Sequence, residues 1–280
     1  NVTVQWTIIS ESLNESVHSK GEHGYGSLLR GNDGARYSMH HNLWAHHRAR
    51  MPRPGNYLDQ ATDPIGPLID IRNNVFYNWG GKFSGYNADT DSVSRYDFVG
   101  NYYLQGPNSR TAVAFDESDP LASMYFAGNW MNGKPVEDAL AVVNLPGGVS
   151  LATGEHVRSA PATEPADAAF RAVLARAGAS LARDSVDRRV VAEVRAGTGR
   201  IIDDAAEVGG WPEHESAPPP PDSDGDGMPD DWESRNGLDP TDPADGPLLA
   251  DGGYTNLEIY LDSLVRLDAS RDATREVPGT

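Results

Sequence analysis

Apolar and polar residues alternate in short runs along the first half of the chain. Residues 2–9 read Val-Thr-Val-Gln-Trp-Thr-Ile-Ile, and similar runs return over 37–44, 69–77, 96–104 and 124–130. Runs this short, with a period of two and many β-branched or aromatic residues, predict β-strands. Four of them place an asparagine directly before an apolar residue. These steps are Asn42-Leu43, Asn74-Val75, Asn101-Tyr102 and Asn129-Trp130, at intervals of 32, 27 and 28 residues. A repeat of that length with one residue type at an equivalent corner predicts stacked coils. Each coil must turn tightly with its backbone groups buried, and a stacked asparagine can bond the coils above and below it. The expected fold class is all-β, a right-handed parallel β-helix with its coils over residues 1–134. A propeller or a sandwich with Asn-rich turns is the alternative, but neither needs the same Asn-apolar step each time.

Beyond residue 134 the period changes. Residues 162–179 are rich in Ala, Arg and Leu, and Phe170, Val173, Leu174 and Leu181 recur at helical spacing. Residues 184–195 predict a second helix with Val186, Val190, Val191 and Val194 on one side. Both are expected to pack across the end or flank of the coils, in an extension over 135–214. The run Ala217-Pro-Pro-Pro-Pro221 is a stiff spacer, and 215–221 is read as a linker. A module over 222–265 and a disordered tail over 266–280 are expected to follow.

Composition narrows the function classes. Lys and Arg number 23 against 41 Asp and Glu, a net charge of −18. That balance argues against nucleic-acid binding and fits a protein that handles cations. No cysteine is present, which excludes disulfides and thiolate metal sites. No apolar run approaches the roughly 18 residues of a membrane helix. The chain opens at Asn1 on an apolar alternation, with no starting Met and no visible signal peptide, so it is expected to continue a longer protein. A monomer is expected. The charge is uneven. Residues 18–53 carry Lys20, Arg30, Arg36, Arg48, Arg50 and Arg53 and six of the eight histidines, which suits an anion.

The acids concentrate after the spacer. Asp222-Ser-Asp-Gly-Asp-Gly-Met-Pro-Asp-Asp-Trp-Glu233 fits a twelve-residue calcium loop. Asp222, Asp224 and Asp226 take positions 1, 3 and 5, Gly227 the turn, Met228 a carbonyl ligand, Asp230 position 9 and Glu233 position 12. Hard oxygen ligands at this spacing suit Ca²⁺. The stretch resembles the calcium repeats of thrombospondin type 3 and dockerin modules. That resemblance implies a second half near residues 251–258, where the acidic run is broken by Pro247-Leu-Leu249. The expected role is structural, clamping a small domain that has no disulfides.

The most informative segment runs from Tyr37 to Gly55. It holds a corner asparagine, eight residues to an arginine, and the step Arg50-Met-Pro-Arg53. Asp70-Ile-Arg-Asn-Asn-Val-Phe-Tyr-Asn-Trp79 follows. This resembles the pectate lyases of polysaccharide lyase family 1. Residues 2–9, 40–53 and 69–79 match successive coils of that fold. His18-Ser-Lys-Gly-Glu-His-Gly-Tyr-Gly26 resembles a bacterial branch that carries a helical extension and a calcium-repeat tail.

The resemblance implies calcium-assisted β-elimination on polygalacturonate, with Arg50 abstracting the C5 proton and Ca²⁺ on the sugar carboxylate acidifying it. A guanidinium gives up a proton reluctantly. The chemistry therefore calls for a crowded cationic site, to which Arg48, Arg53, His46 and His47 are expected to contribute. Arg53 is expected to hold a substrate carboxylate in bidentate fashion. Lys20, His18, His23 and Arg48 are further expected substrate contacts. At least one of His40 and His41 is expected in the core. Two departures stand out. The family's catalytic calcium ligands would precede Asn1, and its second substrate arginine is Gly55 here. Other classes remain open: a lyase for another uronate polymer, a glycosidase, for which the best loop acids Asp59 and Asp63 do not by themselves form the required pair, or a non-catalytic carbohydrate-binding or adhesin fragment.

Overall fold

The computed structural model describes residues 1–146, 148–157, 161–214, 216–250 and 252–266, with only the backbone at 265 and 266. The tail expected beyond 266 and Asp251 lie outside the described residues. The chain divides into two compact units, Asn1–Pro212 and Glu213–Thr280.

The first unit is a parallel β-solenoid. One sheet stacks Val2–Gln5, Arg36–His40, Leu68–Arg72, Ser94–Val99 and Ala122–Ala127, all parallel. The second stacks Ile8–Ser10, Leu43–His47, Val75–Trp79, Tyr102–Leu104 and Trp130–Met131, closed by the antiparallel Lys134–Pro135. A third face pairs Leu28–Gly31 with Arg53–Asn56, and Gly85–Asn87 with Phe115–Glu117, which pairs in turn with Val143–Asn144. Coil pairing therefore continues past residue 134.

The asparagine column forms one bonded ladder. Asn42 N–H donates to Asn74 Oδ1 at 2.9 Å, Asn74 N–H to Asn101 Oδ1 at 3.0 Å, and Asn101 N–H to Asn129 Oδ1 at 2.8 Å. Each side-chain amide also donates back to a carbonyl of the coil before it, to Val4, Met39, Ile71 and Phe98 in turn. The residues just before the ladder, His41, Asn73, Gly100 and Gly128, share the left-handed conformation, with φ between 53 and 65°. Only a well-supported corner holds a non-glycine residue there.

Register aligns the apolar side chains of successive coils. Trp44, Phe76 and Tyr103 stand opposite one another in the second sheet, with ring centroids 5.1 and 4.8 Å apart. Such offset contacts add to the burial of large rings. The other face of that sheet carries Leu43, Ala45, Val75 and Tyr77, and it is covered by two helices. These are α1 (Ala166–Arg176) and α2 (Ser185–Ala196). Val173 and Leu174 of α1 and Val190, Val191 and Val194 of α2 are buried against it. Strands Leu43–His47 and Val75–Trp79 are consequently buried on both faces. Asp184 caps α2 by accepting from Asp187 N–H, and Gly197 ends it in the left-handed conformation. Leu181 was expected on the apolar stripe. It falls between the helices and is 53% exposed.

One interior carboxyl sets a pH dependence. Glu117 is buried, and its Oε1 accepts from Asp119 N–H and from Asn87. Burial pushes its pKa up to about 8, with the charge of Asp119 adding to the rise and these bonds opposing it. A folded-state pKa above the unfolded value means stability is fully present below about 4.5 and is lost as pH rises through 8. Glu117→Gln mimics the protonated group. It should match the wild-type melting temperature at pH 5 and exceed it at pH 9. Equal melting temperatures at both pH values would show that the carboxyl ionises without cost.

The second unit contains α3 (Asp230–Asn236) and α4 (Asn256–Arg266). Trp232 and Tyr260 meet edge to face at 5.2 Å between them.

Candidate active site and cation loop

The turn after strand Leu43–His47 carries Arg50. Its backbone is held by the coil before it and the coil after it. Gly26 N–H donates to Ala49 O at 3.0 Å, Ser27 N–H to Arg50 O at 2.7 Å, and Met51 N–H to Ser84 O at 3.0 Å. Arg50 adopts φ +62°, a conformation that persists only where the surroundings over-determine it. Gly26 is part of that support, since a Cβ there would lie 2.7 Å from Arg50 O.

The Arg50 guanidinium lies 4.1 Å over the ring of Tyr25, and its Nε donates to the Tyr86 hydroxyl at 3.2 Å. Tyr25 in turn meets His23 edge-on at 4.3 Å, and His23 stacks on His18 at 3.9 Å. Desolvation lowers the His23 pKa, and the neighbouring charges of His18, Arg50, Lys20 and Arg48 lower it further. The structure thus brings His18, Lys20, His23, Arg48 and Arg50 into one electrostatic neighbourhood. Arg48 pairs with Glu22 and borders an open depression of about 460 Å³ that Asn108, Arg110 and Asp203 also line.

Arg53 lies on the third face. Its guanidinium is 5.3 Å from the Tyr86 ring centroid, and Nη2 reaches Asp89 Oδ1 at 3.4 Å. The same Asp89 oxygen takes Arg30 Nη1 at 2.8 Å. Among Arg30, Arg48, Arg50 and Arg53, Arg50 is the one with no carboxylate partner among the described residues.

Two expected contributors to the cationic field are absent from it. His46 is buried beneath α2, with Nε2 3.1 Å from Glu193 Oε2, and His47 is buried against Ser12 and Ile9; burial lowers both to a pKa of about 4, so both are neutral at pH 7. His47 Nε2 lies 2.9 Å from Ile9 O, while Nδ1 lies 2.6 Å from Ser12 Oγ, bonds assigned to the Nε2–H tautomer. His40 and His41 are both buried, one more than the pair was required to place in the core. Asp63 is a turn anchor. Burial opposes its ionisation, yet N–H groups of Gly66, Asp33 and Ile65 and the Asn56 amide hold it down to about 2. Asp59 accepts from Thr62 N–H. Neither acid is set up as a catalytic acid of a glycosidase pair.

The sequence reading missed Tyr25, Tyr86 and Asp89, and it placed Arg30 in the cationic stretch without a role of its own. Arg30 stands directly opposite Gly55 in the register of the third face. A Cβ on Gly55 would lie within 2.4 Å of Asp89 Oδ2, so a larger residue there would displace that carboxylate.

In the second unit, Asp222 accepts from Gly225 and Gly227 N–H, Asp224 Oδ1 from Asp226 N–H, and Asp226 Oδ1 from Met228 N–H. Their remaining oxygens are turned elsewhere. Asp224 Oδ2, Asp226 Oδ2, Asp245 Oδ1 and both Glu233 carboxylate oxygens are buried without hydrogen-bond partners among the described residues. Asp222, Asp224 and Asp226 form one tight acidic group, and Asp226, Glu233 and Asp245 form another. Burial, with the charges of Asp224, Asp226, Asp245 and Asp230, raises the Glu233 pKa to about 7. Unpartnered buried carboxylates so close together fit a hard cation. Asp230, expected at position 9, spends both oxygens on Ser223 N–H and Oγ. Asp245, which no spacing rule identified, faces Glu233 and Asp226 instead. Among the described residues no other group of three such ligands occurs, and the acids near Arg50, Glu22 and Asp89, are committed to arginines. The residues around Arg50 therefore do not by themselves fit a catalytic cation.

No family model matches the chain. It is 34% identical to the probable pectate lyase C of Aspergillus terreus over 280 residues, covering 95% of this chain and 60% of that protein. The probable pectate lyase C of Aspergillus flavus is 33% identical over 276 residues with the same coverage, and that of Aspergillus oryzae is 32% identical. The chain spans about 60% of the length of the relatives it matches. No helix among the described residues is long and apolar enough to cross a membrane.

Proposed function

We propose that this chain belongs to a secreted pectate lyase that cleaves polygalacturonate by β-elimination, with Arg50 as the base. The observation that carries the reading is Arg50 itself. It is held in a strained turn between two tyrosines, shares the His23 neighbourhood with Lys20 and Arg48, and has no carboxylate partner among the described residues. A guanidine nitrogen presented in this way can take a proton next to a carboxylate, where neighbouring cations stabilise the carbanion-like charge that develops.

In the proposed step Arg50 acts as the neutral guanidine, having first released one proton to solvent. It takes the C5–H proton and becomes the guanidinium, the C5–H electron pair forms the C4–C5 double bond, the C4–O4 bond breaks, and a 4,5-unsaturated uronate forms. The proton that O4 gains comes from solvent. Arg53 binds a carboxylate with the guanidinium N–H groups that Asp89 does not occupy. Lys20 and Arg48 supply further positive charge, and His18 and His23 further ring nitrogens, at the same end. Calcium bound to the sugar carboxylate would acidify the C5 proton, and none of the residues described near Arg50 is assigned to it. The test is ultraviolet absorbance of the unsaturated product with polygalacturonate and millimolar Ca²⁺. New reducing ends without that absorbance would point to hydrolysis. Binding without either would point to a carbohydrate-binding module.

The C-terminal loop is proposed to hold a structural Ca²⁺ through Asp222, Asp224, Asp226, the Met228 carbonyl, Glu233 and Asp245. An ion at about 1,000 times its Kd stabilises the unit that binds it by about 4 kcal/mol. Calorimetric titration of the metal-free chain should show calcium uptake that Glu233→Gln removes and Asp245→Asn weakens at least tenfold. Uptake unchanged in both variants would move the ion elsewhere.

A further inference from the structure

We propose that Tyr57 and Arg30 form a uronate-binding subsite at the far end of the Arg50 strip, with Asp89 as its positioning residue. The inference rests on the pectate reading above. The contacts run without a break. Arg50 bonds the Tyr86 hydroxyl, Arg53 lies over the Tyr86 ring, and Arg53 and Arg30 share Asp89 Oδ1. Arg30 Cζ then lies 5.1 Å from the ring centroid of Tyr57.

Tyr57 is 66% exposed although it is a large aromatic residue. It follows the buried Asn56, whose side chain anchors the turn by accepting from Leu58 N–H and donating to Asp63. The ring therefore stands on a fixed support and faces solvent beside a guanidinium. An exposed ring offers a flat apolar face to a pyranose, and a guanidinium offers two parallel donors to its carboxylate. Together they match a uronic acid and neither group alone does.

The state of Arg30 supports this use. Its side chain is largely buried, with one nitrogen on Asp89, and its Nε is buried with no hydrogen-bond partner. Asp89 serves two arginines with one oxygen, while its other oxygen accepts from Asn56 N–H at 3.2 Å. One carboxylate shared by two guanidiniums leaves a net positive charge and spare donors. That arrangement holds both forks in place and leaves them able to take substrate carboxylates.

Binding of digalacturonate and hexagalacturonate by calorimetry, in an Arg50→Ala background that blocks turnover, tests the subsite. Tyr57→Ala should weaken hexamer binding about tenfold and dimer binding much less. Tyr57→Phe should bind like the parent, because the ring face carries the contact. Arg30→Met should weaken the hexamer by about tenfold or more. The melting temperature of the Tyr57 variants should not move, since the ring is exposed. Hexamer binding unaffected by Tyr57→Ala, with the parent binding normally, overturns the subsite and leaves the pectate reading standing. A parent that binds neither oligomer overturns both.

Discussion

Arg50→Ala is expected to lower the rate of polygalacturonate elimination by about 10²–10⁴-fold, the range for loss of a positioned general base. The loss should fall on kcat, because Arg53, Lys20 and Arg48 still provide charge for binding. Arg50→Lys should not restore the rate. A lysine has no planar fork to lie over Tyr25 while donating to the Tyr86 hydroxyl. The variant should fold normally, since the Arg50 side chain makes no ion pair with the solenoid among the described residues. A rate within threefold of wild type, from a folded Arg50→Ala protein, would remove Arg50 from the mechanism.

The second large effect is structural. Asn74→Ala should destabilise the solenoid by about 3–6 kcal/mol, measured by urea unfolding. The substitution orphans Asn42 N–H and one N–H of the Asn42 amide, whose other N–H stays on Val4 O, and it leaves Met39 O without the Asn74 amide. Each buried orphan costs about 1–3 kcal/mol. Against a typical total of 5–15 kcal/mol the loss is severe. The contrast is Asn132, an exposed corner whose amide bonds Gln105. Asn132→Ala should cost about 1 kcal/mol or less. Comparable losses at the two positions would mean that the ladder does not depend on burial.

Much of this was legible in the chain. The Asn42, Asn74, Asn101 and Asn129 steps identify the corner because burial leaves few other ways to satisfy a tight turn. The helical stripes of Val173, Leu174, Val190, Val191 and Val194 were readable because period 3.6 needs only local sequence. What failed was whatever depends on where a coil lies in space. His46 and His47 adjoin Arg48 in sequence and look like part of a cationic field, yet the strand that carries them is covered on both faces, so they are interior and neutral. Asp89 is 36 residues from Arg53 and 59 from Arg30, and no local pattern links them. Asp245 lies beyond the end of α3, and a twelve-residue template could not reach it.

The ladder also decides where the molecule can change. Twelve positions separate Asn56 from Leu68 on one coil, while eight separate Asn87 from Arg95, the registered partner of Leu68, on the next. The surplus falls almost wholly in the segment that begins with Tyr57, and the bonded column at Asn74 is undisturbed by it. A coil can therefore gain or lose residues on its rim at little cost while its spine stays indexed. Variation in polymer preference among such solenoids would then be written in rim length, one coil at a time, with the core left as a constant.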